Sequence, residues 1–504
     1  MRADRTDGVS ARTIPVSSDA RDSVEEGAMG ARWPAAFAAS LLLSIATLGR
    51  AEEAVPQQTA PPAVATEEPS LIRGRAVEAA IWGMPIVSFD VMRQAFFRDA
   101  GAKYGDIVFW SKPSDWQNQT TTPNASSLYV YFNFNTKDGP VVLDFPAAVG
   151  AGLFGTMLDA WQKPLTDVGP QGADKGQGGK YVILPPGFEG EVPAGTISIH
   201  SATYNGYALF RAIPQTQSDA DMAKAIELVR KLRLYPLIEA TIPPDQRFID
   251  MAGKLFDGIV PYDARFYDHL VRMIGEEPVQ DRDLVAMGQL LSLGIEKGKP
   301  FKPDARRETT LRTAVARAQT GFINAVSRSE GWWPGSHWTL PETLGPKTGF
   351  SFQTPEYLGI DARGLIFYLA YAPPEKLGSA TFSLLGFTDA KGGPLVGDRS
   401  YRLHIPADVP AQQFWAVTVY NVETAGFIRE SPRVGLDSYN PSLRKSTDGS
   451  INVDFRSKPP ADGDANWIYT APHGKWFAMF RLYGPGRPLF DKTWRLPDIQ
   501  EVAR

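Results

Sequence analysis

This 504-residue chain has two kinds of apolar pattern. Short alternating runs occur in residues 71–215 and 331–504, and runs with a helical period occur mainly between these two regions. Within residues 71–215 the short runs cover residues 128–134, 141–145, 181–184 and 196–200, each bounded by Gly, Pro, Asn or Asp. Alternation over four to eight residues predicts half-buried strands. Several short strands at this spacing predict a β-sandwich over residues 71–215.

The helical period is seen before these strands and again over residues 216–330. Residues 71–98 predict a helix that breaks near its middle, because Pro85 lacks the N–H that a helix interior needs. Ser218 and Asp219 are suited to cap a second helix, which we expect to end at Pro236. Further helices are predicted over residues 262–274, 284–293 and 303–328.

The last region, residues 331–504, opens with an aromatic loop and returns to short apolar runs. These runs predict strands over residues 365–371, 401–405, 414–420, 451–455 and 476–482. Two packed sheets with a jelly-roll-like topology are the natural interpretation. The predicted fold is therefore mainly β with an α-helical insert, in which two β-sandwich or jelly-roll-like domains flank a helical region.

The N-terminal 51 residues have the composition of a secretory signal. Residues 35–48 are apolar and uncharged, Arg32 precedes them, and Gly49 and Ala51 give a small-x-small cleavage site. The signal peptide is predicted to span residues 1–51, with Met29 as an alternative start. An uncleaved anchor is the alternative, although the run is shorter than the roughly 20 residues a transmembrane helix needs. We expect a periplasmic or secreted protein with no integral span after cleavage.

Composition narrows the classes of function that remain. Residues 52–70 are rich in Pro, Ala and Glu and predict a disordered linker. The chain has no cysteine, which excludes disulfides, thiolate nucleophiles and cysteine metal sites. Its net charge of −4 offers no general attraction for nucleic acid.

Several motifs resemble a known bacterial family. Residues 123–129 (PNASSLY), 139–143, 158–160 and 179–181 resemble the domain of unknown function 1254. Residues 393–397, 414–421 (FWAVTVYN), 448–450, 466–467 and 481–485 resemble the domain of unknown function 1214. Their order along residues 72–500 makes the joint resemblance specific, although Ser126 and Ser127 replace the Asp-Thr pair common in the family. The resemblance implies two β domains with a helical part between them, and it implies no established reaction.

One candidate site combines Asn124, Tyr129 and Tyr131 with Asp159. Strand alternation places both tyrosines on one face, where an amide and two phenols could hydrogen-bond a polyol or a carboxylic acid. Asp159 is the candidate acid or base. The alternative is a structural role, with Asn124 bracing a turn and the tyrosines filling a sheet face.

Two more groups could bind a ligand. Trp333 and His337 lie in the aromatic loop and could form a stacking wall, or the tryptophans could anchor that loop to the core. Arg429, Arg433 and Arg481, with Asn466 and Trp467, could hold an anion, because arginine forks match carboxylates. Salt bridges between domains are the alternative for these arginines.

No spacing predicts a metal site or a cofactor. The five histidines form no zinc motif, and His200 and His404, on predicted strands, are expected to be buried and hydrogen-bonded. Two functions stay open: a hydrolase or lyase acting on a glycan or a small organic acid in a cleft between β domains, or a non-catalytic envelope protein that binds a ligand or has a structural role. Homo-oligomerisation also stays open.

Overall fold

The computed structural model describes residues 68–216, 218–340, 349–375, 381–461, 463 and 465–503. The predicted signal peptide and most of the predicted linker lie outside these ranges. The first helix begins at Pro69, so the end of the predicted linker is helical. Within the described ranges, no helix has both the length and the apolar character needed to cross a bilayer.

The first region confirms the expected order of a helix followed by strands. A 30-residue helix opens it, and the strands predicted around residues 128–134, 141–145, 181–184 and 196–200 all form. In chain order the elements are α1 (Pro69–Arg98), β1 (Ile107–Phe109), β2 (Asn118–Gln119), β3 (Leu128–Asn135), β4 (Val141–Phe145), β5 (Gly152–Asp159), β6 (Pro164–Val168), β7 (Gly179–Leu184), β8 (Ile197–His200) and β9 (Asn205–Ile213).

The middle region combines helices with three short strands. Two 3-10 turns, Leu237–Glu239 and Asp281–Asp283, connect parts of it. Its elements are α2 (Asp219–Val229), β10 (Arg233–Pro236), β11 (Phe248–Asp250), β12 (Phe256–Asp257), α3 (Arg265–Glu276), α4 (Leu284–Ser292) and α5 (Ala305–Ser327).

The last region returns to strands, which confirms the predicted fold class of β regions around a helical insert. A 3-10 turn at Gly349–Ser351 precedes its first helix. Its elements are β13 (Trp338–Thr339), α6 (Ile360–Leu369), β14 (Thr381–Gly386), β15 (Ser400–Ile405), β16 (Ala411–Asn421), β17 (Gly435–Asp437), β18 (Ile451–Arg456), β19 (Trp467–Tyr469), β20 (Trp476–Pro485), α7 (Arg487–Phe490) and β21 (Gln500–Val502).

Two sheets pack face to face in the first β region. The six-stranded sheet has the order β11-β1-β3-β9-β5-β6, and the four-stranded sheet has the order β10-β4-β7-β8. Phe210 of the first sheet meets Phe145 of the second with ring centroids 5.5 Å apart. The alternation of β3 sends Val130 and Phe132 into this core and Tyr129 and Tyr131 to the opposite face.

The second β region repeats this arrangement with different strands. A five-stranded sheet, β13-β14-β20-β16-β17, faces a four-stranded sheet, β19-β18-β15-β21. Trp476 of β20 contacts Phe455 of β18 across the core, with ring centroids 5.0 Å apart. The other face of β20 carries Met479, which joins the core of the helices. In each sandwich, the outer face of one sheet therefore packs against a layer of helices.

Helix α1 is the centre of that layer. It packs against α3, α4, α5 and α6, and the largest apolar core joins these helices to the outward faces of both β regions. Most of α1 is buried, including Phe89 and Phe96. Burial on all sides explains why its sequence has only a weak helical stripe.

The expected break of α1 at Pro85 does not occur. Neighbouring helices pack closely against this part of α1 and stabilise it as a helix. Pro85 cannot donate to the carbonyl of Ile81. Gly364 of α6 lies against that carbonyl, and a Cβ at residue 364 would stand 2.9 Å from its oxygen. Gly83 lets Leu270 of α3 approach closely, since a Cβ there would lie 2.9 Å from a methyl group of Leu270. Tertiary packing thus overrides the local preference.

Two other expectations from the sequence were wrong. Residues 365–371 were expected to form a strand, but residues 365–369 lie in α6, where a wholly apolar run is buried among helices. Ser218 caps α2 as expected, yet the helix ends at Val229, and Pro236 instead ends β10. Strand β10 pairs with β4 and β11 pairs with β1, so the middle region also completes the sheets of the first.

Candidate functional site

The loop between β2 and β3 joins the two β regions. Thr122 donates its backbone N–H to the carbonyl of Ala425 at 2.7 Å, and its hydroxyl donates to the carbonyl of Leu369 at 2.7 Å. Ser126 donates its hydroxyl to the Asp437 carboxylate at 2.7 Å. Three contacts to distant parts of the chain fix this loop against the second β region.

Asn124, one of the predicted ligand-binding residues, is held by contacts on both sides. Its backbone N–H donates to the phenol oxygen of Tyr129 at 2.9 Å. Its side-chain oxygen accepts from the backbone of Ser126 at 2.7 Å, and its amide nitrogen donates to the phenol of Tyr483 on β20. Asn124 therefore braces a turn, as the structural alternative expected, and also reaches across to the second β region.

Tyr129 is paired with an arginine that the sequence motifs did not single out. Tyr129 of β3 and Arg211 of β9 are direct cross-strand neighbours. Their side chains share one face, and the guanidinium of Arg211 lies 5.6 Å from the centre of the Tyr129 ring. This is the geometry of a cation–π contact.

Arg481, predicted in a different group, comes to the same place from β20. Its Nη1 donates to the phenol of Tyr420 at 2.7 Å, and its Nη2 donates to the carbonyl of Thr122 at 3.0 Å. Only 7% of Arg481 is exposed. We call Asn124, Tyr129, Arg211, Tyr420, Arg481 and Tyr483 the arginine–tyrosine cluster.

The positive charge of this cluster has no neutralising partner among the described residues. Neither Arg211 nor Arg481 forms an ion pair with an acidic side chain there. Burial raises the pKa of Tyr420 and of Tyr483, so both phenols are neutral at pH 7. Burial works against the charge of Arg481, but the neighbouring phenols favour it, and the pKa of this guanidinium remains above its ordinary value. A buried charge without a counter-charge is costly.

The backbone beside Arg481 is strained. Thr122, whose carbonyl accepts from Arg481, has a φ of 38°. This region of backbone conformation is unfavourable for a β-branched residue. Such strain persists only where surrounding contacts enforce it, and it is concentrated at functional sites. The contacts of Thr122 to Ala425 and Leu369 supply that enforcement.

Tyr131 follows Tyr129 by two residues but lies in a different environment. It is completely buried, and its phenol lies 3.3 Å from the phenol of Tyr371 and 3.2 Å from the amide oxygen of Asn133. Its ring packs on Phe96 and Tyr207. Tyr131 therefore belongs to the packing between β3 and α1 and is separate from the arginines.

Asp159, the predicted acid or base, lies at the end of β5 in a second polar group. It is 1% exposed, and its Oδ1 accepts from the backbone of Lys163 at 2.9 Å. Its Oδ2 is buried without a hydrogen-bond partner. Burial raises its pKa to about 6, although the Lys163 backbone and Arg282 oppose the shift. We call Asp159, Arg282, Asp283 and Arg363, with Trp82 and Trp161, the Asp159 cluster.

Arg363 of α6 is the cationic counterpart of Asp159 in this cluster. It is buried, and its Nη2 donates to the carbonyl of Trp82 at 3.3 Å. Its guanidinium lies 5.1 Å from the ring centre of Trp161, while its Nε has no hydrogen-bond partner. Burial and the charge of Arg282 lower the pKa of Arg363 to about 10, and Asp283 and Asp159 oppose this. A buried carboxyl group and a buried guanidinium, each with one polar atom that lacks a hydrogen-bond partner, thus lie in one region.

The aromatic loop is fixed to the second β core. Trp333 is 2% exposed and packs on Trp494, with ring centroids 6.1 Å apart. His337 is partly exposed, and its Nδ1 lies 2.9 Å from the carboxylate of Asp498. Trp338 is buried and donates to the carbonyl of Pro497 at 2.9 Å. In this conformation the buried indoles offer no open face to a ligand.

The remaining members of the third predicted group lie apart from Arg481. Asn466 holds the backbone of Arg444 through two hydrogen bonds of 2.9 and 2.7 Å. Trp467 donates to the carbonyl of Arg456 at 2.9 Å, and Arg433 lies 3.4 Å from the carbonyl of Trp467. All these contacts are to backbone atoms around β18 and β19, so this part of the group braces the strand edge.

Arg429 makes the kind of salt bridge that the structural alternative expected. Its Nη2 lies 2.7 Å from the carboxylate of Asp257 on β12. The pair joins the middle region to the second β region, and both side chains are partly exposed.

His200 and His404 are exposed, which corrects the expectation that both would be buried. Strand alternation buries their neighbours Ile199 and Leu403 and turns the imidazoles outward. His404 lies 3.0 Å from the side-chain oxygen of Asn452. Within the described parts of the chain, no three His, Asp or Glu side chains are grouped as metal ligands.

Comparison with known proteins gives two family matches. Residues 105–236 match the family described as Protein of unknown function (DUF1254), and residues 380–487 match Protein of unknown function (DUF1214). These matches confirm the resemblance that the motifs indicated. No curated protein matches the chain.

Two solved structures align with most of this chain. The VPA0106 protein from Vibrio parahaemolyticus aligns with 86% of this chain and all of its own, at 15% identity and a TM-score of 0.51. An uncharacterised protein from Burkholderia cenocepacia aligns over 86% of this chain and 94% of its own, at 13% identity and a TM-score of 0.36. The TM-score of 0.51 indicates that this chain and the Vibrio parahaemolyticus protein share a similar fold, and at 15% identity the likeness concerns the fold alone.

Proposed function

We propose that this protein, which carries a DUF1254 and a DUF1214 domain, binds a small aliphatic organic acid. The proposed site is the arginine–tyrosine cluster, where residues of the two domains meet. Tyr129 and Arg211 come from the first domain, and Tyr420, Arg481 and Tyr483 come from the second. The observation that carries the proposal is the pair of guanidiniums without an acidic partner. A carboxylate would supply the missing negative charge.

The chemistry of the cluster favours a carboxylate over a neutral ligand. An arginine fork binds a carboxylate through two parallel hydrogen bonds, which are stronger than hydrogen bonds between neutral groups. Arg481 already has its Nη1 and Nη2 oriented by Tyr420 and Thr122, so little side-chain entropy remains to be lost. Asn124 and Tyr129 add an amide and a phenol for a second polar group of the ligand.

The low exposure of the cluster favours a small ligand. Arg481, Tyr129 and Tyr483 are each largely buried, yet each keeps a little exposed surface. A linear acid of few carbon atoms is consistent with that restricted access. A polymeric glycan needs an open groove, so the organic acid is the better supported of the two substrate classes that the sequence allowed.

Calorimetric titration of the purified protein with succinate, lactate and the neutral analogue succinamide would test this proposal. Arg481→Met removes the charge and keeps an unbranched apolar side chain. Arg429→Gln is a matched control, because Arg429 is paired with Asp257 outside the cluster. A lost charge-assisted bond of about 1.5–3 kcal/mol corresponds to a roughly 10- to 100-fold weaker affinity.

The proposal is supported if the protein binds one of the acids saturably and does not bind succinamide. That binding should be lost in Arg481→Met and retained in Arg429→Gln. If neither acid binds, or if Arg481→Met binds as well as the unaltered protein, the proposal fails. The non-catalytic structural role would then be the better account of the buried arginines.

A second candidate function, acid–base catalysis by a hydrolase or lyase, is favoured by Asp159 specifically. A carboxyl group with a pKa of about 6 can both take up and release a proton near neutral pH. Its unpartnered oxygen and the unpartnered Nε of Arg363 are groups that a bound molecule could satisfy. Perturbed groups of this kind occur at active sites more often than elsewhere.

Turnover assays on esters and on hydroxy acids would test this second function. Asp159→Asn should abolish turnover without unfolding the protein, and the pH–rate profile should have a limb near pH 6. Activity that survives Asp159→Asn would exclude this role for the residue.

We propose further that the protein is exported, on the basis of residues 35–51. N-terminal sequencing of protein from the periplasmic fraction should find a mature chain that begins at or just after Glu52. A chain that keeps residues 35–48 would instead support the uncleaved anchor.

A further inference from the structure

A polar cavity of about 490 Å³ opens where the C-terminal half of α1 meets α3 and the adjoining ends of β3 and β9. It lies apart from the arginine–tyrosine cluster and shares no residue with it. We call it the Arg272 cavity. The side chains that matter for its chemistry are Arg93, Phe97, Tyr104, Lys137, Arg272 and Glu276.

The floor of the Arg272 cavity is a rigid network in which Arg93 uses its whole guanidinium. Arg93 donates to Asp90 at 2.9 and 2.7 Å, to Glu276 at 2.6 and 3.2 Å, and to Tyr104 at 3.1 Å. Tyr104 in turn donates to the amide oxygen of Asn205 at 2.6 Å. Because the polar groups of the floor are already hydrogen-bonded to one another, the floor is preorganised. A ligand would therefore bind to other groups of the cavity.

Positive charge exceeds negative charge at this cavity. The lining contains three cationic side chains, Arg93, Lys137 and Arg272, against one anionic side chain, Glu276. Glu276 pairs with Arg93, and Asp90, behind the floor, is shared by Arg93, His269 and Arg272. These two carboxylates balance the two arginines, so the excess positive charge is that of Lys137.

Two cationic groups remain available to a ligand. Arg272 uses only Nη1 for Asp90 and His269, and its Nε and Nη2 have no hydrogen-bond partner among the described residues. Lys137 is exposed, and no described acidic side chain pairs with its ammonium. A guanidinium edge and an exposed ammonium are groups that bind carboxylates in proteins.

Aromatic rings supply the second recognition element. Phe97 and Tyr104 meet edge to face with ring centroids 5.3 Å apart, and Tyr204 also lines the cavity. Aromatic pairs prefer this geometry, so a third ring can join them with a further gain. The volume is within the range of pockets that hold small organic molecules.

We propose that the Arg272 cavity binds an organic anion that carries a ring, with its carboxylate between Arg272 and Lys137 and its ring against Phe97 and Tyr104. This site is independent of the organic-acid site at Arg481, because the two share no residue. It differs also in ligand class, since the aromatic wall selects for a ring.

Calorimetric titration of the purified protein with 4-hydroxybenzoate would test the site. Benzyl alcohol supplies the ring without the charge, and acetate supplies the charge without the ring. Lys137→Gln and Arg272→Gln each remove one cation, and Arg272→Gln leaves Asp90 paired with Arg93 and His269. Each substitution should weaken 4-hydroxybenzoate binding about tenfold.

Two control variants separate this proposal from others. Lys302→Gln removes an exposed lysine away from the cavity, and Arg211→Gln alters only the arginine–tyrosine cluster. Both should leave the affinity for 4-hydroxybenzoate unchanged. In protein carrying Arg481→Met, which removes the proposed aliphatic-acid site, acetate and benzyl alcohol should each bind at least tenfold more weakly than 4-hydroxybenzoate. The proposal is overturned if 4-hydroxybenzoate does not bind, if neither cavity variant weakens its binding, or if Arg211→Gln weakens it equally.

Discussion

Replacing Asp159 with asparagine isolates the energetic effect of one buried carboxyl group. Asparagine has nearly the same shape, and its side-chain oxygen can still accept from the backbone of Lys163. What it removes is the ability to ionise. In the native protein burial raises the pKa of Asp159 to about 6, whereas an aspartate in an unfolded chain has a pKa of about 3.9.

The sign and size of the effect follow from these two values. Between about pH 4 and pH 6 the unfolded chain loses a proton that native Asp159 retains, so the free energy of unfolding falls as pH rises. A difference of about two pKa units corresponds to about 3 kcal/mol. The asparagine variant should therefore be more stable than the unaltered protein by up to about 3 kcal/mol above pH 6, with little of this gain below pH 4.

Urea denaturation of both proteins at intervals from pH 3.5 to pH 8 would measure this difference. Other groups titrate equally in the two proteins, so subtracting one curve from the other leaves Asp159 alone. A stability difference that stays constant across this range would refute the reasoning. It would mean that the carboxyl group ionises normally, and that it is hydrated or paired in solution.

Three other substitutions test the packing and the charges. Gly364→Ala should lower stability by about 1–3 kcal/mol in thermal denaturation, because its Cβ would press on the carbonyl of Ile81. Asp90→Asn should cost about 3–5 kcal/mol at pH 7 by urea denaturation, since it removes the buried carboxylate that Arg93, His269 and Arg272 share. That cost should shrink below about pH 4, because the pKa of Asp90 is held low by those cations against the effect of burial. Arg429→Ala should change stability by less than about 1 kcal/mol, because its pair with Asp257 is partly exposed.

Strand periodicity carried most of the predictable information about this fold. The alternation in β3 correctly separated Tyr129 and Tyr131 from Val130 and Phe132, because one face of that sheet packs on a second sheet. The helical run at residues 365–369 was missed for a related reason. A segment buried on every side has no polar face, so its period cannot be read from the sequence.

The arginine–tyrosine cluster was only half visible in the sequence. Asn124 and Tyr129 were predicted in one group and Arg481 in another. Nothing local places β3 beside β20, since the two strands are more than 300 residues apart. Arg211 was missed, although a signal was present: it is a charged residue within the apolar strand YALFRAI. A charge on a mostly buried strand indicates a special contact.

The Asp159 cluster shows the complementary difficulty. Asp159 was predicted as the carboxylate of the first candidate site, and its raised pKa follows from burial that only the tertiary structure reveals. Arg363 lies in a segment that was expected to begin a strand region, and Arg282 lies in a turn. Their convergence depends on how α1, α6 and β5 pack.

The central position of α1 has a consequence for how this protein reaches its native state. Helix α1 is synthesised early. The hydrogen-bond partners of its Trp82, however, are Asp283 and Arg363, which follow it by 201 and 281 residues. Contacts of such long sequence separation slow folding, because the chain entropy is lost before they form. During synthesis α1 lacks α3, α4 and α5 until the middle region emerges, and it lacks α6 until the chain has passed residue 369. Until then its apolar surface is exposed to aggregation. We therefore expect the protein to fold in one late, cooperative step. A chaperone that binds α1 before that step would protect the chain from aggregation.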